Sequence, residues 1–73
     1  MIPAQLENKV HAIAGKDLST LADDQIFAIL AYELWKDGMD WDQGVSDLAE
    51  GKPNLQYKTR EDCINFLKTV FGY

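Results

Sequence analysis

The sequence predicts an all-α fold, a compact single-domain bundle of about four short helices spanning residues 1–73. Three observations lead there. Apolar residues recur at helical spacing in four separate stretches. Glycine stops follow those stretches. No alternation of period two runs longer than about four residues, so no strand pattern competes.

The first helix is predicted from Pro3, which suits a first helical turn because its missing N–H has no partner there anyway. Leu6, Val10 and Ile13 then fall at i, i+4 and i+7, one face of a helix. Gly15 supplies the stop.

The second and strongest element lies in "DLSTLADDQIFAILAYELWKDG". Asp23 and Asp24 stand at its start, where the positive end of the helix dipole favours acids. Leu21 is placed to staple onto Ile26 across the first turn. Ile26, Phe27, Ile29, Leu30, Leu34 and Trp35 form an apolar surface too wide for a single stripe, so this helix is expected at the centre. Lys36 and Gly38 close it.

A third, shorter helix is expected to start at Asp40, with Gln43 completing a capping box and Trp41, Val45 and Leu48 sharing one face. Gly51 and Pro53 end it. "KPNLQYK" reads as loop, with a short extended piece at Leu55–Tyr57. Thr59 is expected to cap the fourth helix, with Asp62 at the third position. Cys63, Ile64, Leu67, Val70 and Phe71 are its expected buried side, and Gly72 its stop.

Composition bounds the function. Hydrophobic residues make up 47% of the chain, enough for a small core and too much for a disordered segment. The single cysteine allows neither an internal disulfide nor a thiolate metal cluster. No run approaches the roughly 20 apolar residues of a membrane span, and "MIPAQLENKV" lacks the basic head and apolar stretch of a signal peptide. The expectation is a soluble, cytoplasmic protein with no membrane contact.

The net charge of −5 is unevenly spread. Residues 23–50 hold eight acids against Lys36 alone, a net of −7; the remainder holds four acids against six bases, a net of +2. A field of this sign repels nucleic acid and anionic lipid and attracts basic surfaces.

The acids crowd most densely in "DGMDWDQGVSDLAEG". An EF-hand loop needs oxygen ligands at positions 1, 3 and 5, Gly at 6 and Glu at 12. Counting from Asp40 puts Gly44 at the fifth position and Val45 at the sixth; counting from Asp37 puts Met39 at the third and Leu48 at the twelfth. Neither register fits, so no metal is expected. His11 and Cys63, the only residues of their kinds, read as a boundary residue and a core residue rather than a catalytic pair. Asp40 and Asp42 point to different sides of a helix start, which does not suit paired acid/base work. No phosphate-binding glycine loop is present. No catalytic residue and no cofactor are therefore expected, and the chain is read as a non-enzyme.

Two families come near. Acyl carriers share the size, acidity and helix number, but attach their arm to the serine of an Asp-Ser-Leu triplet opening the second helix. Here Ser46-Asp47-Leu48 has another order and lies in the third. The segment "GVSDLAEGKPNLQYKTREDCINFLKTVFG" resembles helix-turn-helix repressors, with Glu50, Gly51, Lys52 and Pro53 in similar order before an apolar helix carrying Ile64, Leu67 and Val70. The resemblance implies a DNA-reading helix. The helix in that place carries Asp40, Asp42, Asp47 and Glu50 and no Lys or Arg, the wrong sign for phosphate.

What remains is an acidic surface with large apolar residues inside it: Tyr32, Trp35, Met39, Trp41 and Phe66 exceed what so small a core accommodates. The leading expectation is a non-enzymatic protein–protein interaction module. It would be an inhibitor of the phage anti-defence or nucleic-acid-mimicking type, docking an acidic and aromatic helical face on a protein with a basic surface, such as a nucleic-acid-binding protein. It is not expected to touch nucleic acid itself. The expected partner-binding residues are Trp35, Asp37, Met39, Asp40, Trp41, Asp42, Asp47 and Glu50. The alternatives are a small structural subunit that forms a homodimer and a helix-turn-helix-like transcriptional regulator.

Overall fold

Helix α2 (Asp23–Lys36) is the element against which the other helices pack: α1 (Ala4–Ala12), α3 (Gln43–Ala49) and α4 (Arg60–Phe71) each lie on it. The computed structural model describes residues 4–53 and 59–73, and among these there is no strand. The chain is therefore all-α, as its periodicity predicts. The reason for the central place of α2 is in its sequence. Ile26 to Ala31 are six consecutive buried residues, and at 3.6 residues per turn they sweep more than the full circumference. Ala28 and Ala31 are fully buried, small side chains that let neighbouring backbones approach.

The start of α2 uses half of a capping box. Ala22 at the N-cap has no side-chain acceptor, but the Gln25 Oε1 accepts from the Ala22 N–H at 2.8 Å. Leu21 and Ile26 stand at the two staple positions and both are buried. Between α1 and α2, Leu18–Thr20 form one turn of 3-10 helix. The Asp17 carboxylate accepts from the N–H and the hydroxyl of Ser19, each at 3.0 Å. Those bonds hold the Asp17 carboxyl below its ordinary range.

Helices α2 and α3 end in the same way. The Gly38 N–H donates to the Trp35 carbonyl and the Met39 N–H to the Leu34 carbonyl, both at 3.1 Å; the Gly51 N–H donates to Leu48 at 3.0 Å and the Lys52 N–H to Asp47 at 2.9 Å. Both glycines are left-handed, with φ of 97° and 84°, the conformation that such a paired C-terminal motif requires.

Three expectations need correction. Helix α3 starts at Gln43, and its N-cap is Asp42, not Asp40: the Asp42 carboxylate accepts from the Val45 N–H at 2.9 Å. Starting there makes Val45 and Leu48 the helix's buried residues and leaves Trp41 outside the helix, packed half-buried against the core from the preceding connection. Trp41 is thus not on a shared α3 face. Val70 is 54% exposed rather than buried, because it lies on the outer side of the last turn of α4, whose Phe71 packs half-buried against the core; the buried residues of α4 are Cys63 and Leu67. The Thr59 cap is as expected, accepting from the Asp62 N–H at 3.1 Å. The extended piece expected at Leu55–Tyr57 lies outside the described residues.

Candidate protein-interaction surface

The acidic segment occupies the end of α2, the α2–α3 connection and α3. Its carboxylates divide into two groups. Three have work within the fold. Asp42 caps α3. Asp47, half-buried, accepts from the Gln43 Nε2 at 2.8 Å. Glu50 lies 3.4 Å from the Lys52 ammonium. Asp37 and Asp40, both exposed, make no side-chain hydrogen bond or ion pair with a described residue.

Asp37 is also electrostatically misplaced. It is the C-cap of α2, where unpaired carbonyls give the helix its negative end, so a carboxylate there works against folding. Lys36, which neighbours it in the chain, has its ammonium 5.1 Å from the centre of the Tyr32 ring.

Between Asp37 and Asp40, Met39 is 45% exposed, one of three large apolar side chains so placed among the described residues. Trp35 and Trp41, on either side, are half-buried against the core. The connection is pinned at one end by the Met39 N–H to Leu34 bond and at the other by the Asp42 cap, and the Asp42 N–H donates to the Asp40 carbonyl at 2.9 Å between them. Of the eight residues expected at the interface, the fold presents Asp37, Met39 and Asp40 as an exposed run whose carboxylates have no side-chain partner among the described residues. It keeps the two tryptophans as half-buried neighbours and assigns Asp42, Asp47 and Glu50 structural bonds.

Sequence reasoning did not foresee that α1 borders this region. A groove of about 350 Å³ runs between α1 and α3, with Leu6 and Lys9 on one side, Ser46, Ala49 and Glu50 on the other, and Trp41 in its wall. No local pattern signals a contact between segments some forty residues apart. The Lys9 ammonium lies 3.7 Å from the Asp24 carboxylate.

Elsewhere the chemistry is quiet. No three His, Cys, Asp or Glu side chains converge on a metal-sized space among the described residues. The Cys63 thiol is fully buried, and burial, then the charge of Asp62, pushes its pKa up to about 12. It is therefore a protonated core residue at neutral pH. His11 is exposed, with its ring edge-on to Tyr32 at 6.0 Å. No helix is long and apolar enough to cross a membrane among the described residues. No protein-family model matches this chain, and neither does any curated protein or solved structure.

Proposed function

We propose that this chain is a small, non-enzymatic interaction module that docks the acidic and aromatic region from Trp35 to Glu50 on a basic surface of another protein. The observation that carries the reading is the run Asp37–Met39–Asp40: two carboxylates without a side-chain partner among the described residues and an exposed thioether, on a connection hydrogen-bonded at both ends. Folding gives no reason for Asp37, whose charge opposes the α2 dipole. A pre-ordered connection loses little entropy on docking. Met, Trp and Tyr are enriched at protein interfaces, and Trp35 and Trp41 flank the acids here.

The sign of the field favours a basic partner, since residues 23–50 carry −7 of the charge. Where the partner's basic surface otherwise holds phosphate groups, occupancy by this module is itself inhibition, and no chemistry of its own is required.

The test is capture on the immobilised full chain from extracts of its native host, followed by elution in rising salt and measurement of Kd for the captured protein. The reading expects a partner with a basic surface whose Kd rises steadily with ionic strength, because exposed charge pairs are screened beyond about 10 Å at 0.1 M salt. A partner held equally well at high salt, or one with an acidic docking surface, contradicts it.

A further inference from the structure

We draw no further inference here: the strongest candidate, the open recess that Lys16 and Lys68 line between the turn after α1 and the last turn of α4, carries nothing, because both ammoniums stand on the surface, the Asp17 carboxylate in the same lining offsets the Lys68 charge, and no buried polar side chain among the described residues points into it.

Discussion

The Arg60 guanidinium at the start of α4 lies 3.2 Å from the Asp23 carboxylate at the start of α2, and its remaining donors reach the turn before α2. They bond the carbonyl of Leu21, that of Ser19 at 3.0 Å and that of Leu18 at 3.3 Å. A single side chain thus closes the 3-10 turn and ties it to α4, using the fixed fork of donors that only arginine has. Arg60→Ala should lower stability by about 1–3 kcal/mol, since three carbonyls lose a charged donor in a partly buried place. Asp23→Asn should cost below about 1 kcal/mol, because that carboxylate is largely exposed. Arg60→Lys should recover only part of the loss. Urea denaturation of the three variants checks the ranking; equal losses for Arg60→Ala and Asp23→Asn would mean that the ion pair, not the carbonyl bonds, matters.

The Asp42 cap gives a second comparison. Asp42→Ala should destabilise by about 1 kcal/mol, the usual worth of an N-cap, while Asp40→Ala should change stability by no more than a few tenths. Thermal melts distinguish them. The reverse order would restore Asp40 as the cap.

Gly51 and Gly38 share a conformation but not surroundings. A Cβ on Gly51 would lie 2.7 Å from the Asp24 Cβ, whereas one on Gly38 would meet nothing within 4 Å. Gly38→Ala should therefore cost only the left-handed backbone, about 1–2 kcal/mol. Gly51→Ala adds a clash between α3 and α2 and should cost roughly 2–5 kcal/mol. Denaturant midpoints for the two variants give the test, and equal costs would place Asp24 further away than the structure has it.

Alkaline pH should weaken the fold. Burial raises Cys63 from 9.0 to about 12, and burial with the neighbouring Glu33 carboxylate raises Tyr73 from 10.0 to about 12. Both groups hold their protons more tightly when folded. The stability these two groups contribute is therefore level below about pH 9 and falls as pH rises towards 12, where the unfolded chain alone ionises. Denaturation at pH 8 and pH 10.5 should show the decline, and Cys63→Ala should make it shallower. In the native state Cys63 should resist thiol reagents at pH 8 and react only on unfolding; rapid labelling without unfolding would contradict its burial.

The parts legible in the sequence are those fixed by contacts close along the chain. Helix α2 was readable because Asp23, the broad apolar run and Gly38 are all local signals, and Thr59 with Asp62 marked α4 in the same way. The start of α3 is ambiguous in the sequence because two aspartates lie two residues apart and Gln43 completes a capping box with the first. The second wins because it places Val45 and Leu48 in the core. Val70 has the right spacing, but which side of the last turn of α4 meets the core depends on tertiary placement. The Arg60 bonds and the α1–α3 groove join residues about forty apart, and nothing local announces them. The acidic segment itself was visible as composition; its division into structural and free carboxylates was not.

The central claim concerns where the negative charge is, and one measurement isolates that. Asp37→Lys with Asp40→Lys and Glu7→Lys with Glu61→Lys both change the net charge from −5 to −1, and all four positions are exposed. The first pair should leave folding intact, since Asp37 opposes the α2 dipole and the Asp40 side chain makes no bond with a described residue. Kd for the captured basic partner should rise by about tenfold or more for the Asp37/Asp40 variant, because like charges would then meet across the interface. It should change only slightly for the Glu7/Glu61 variant. Equal weakening by both pairs, or none by either in folded proteins, would contradict docking through the Asp37–Met39–Asp40 run.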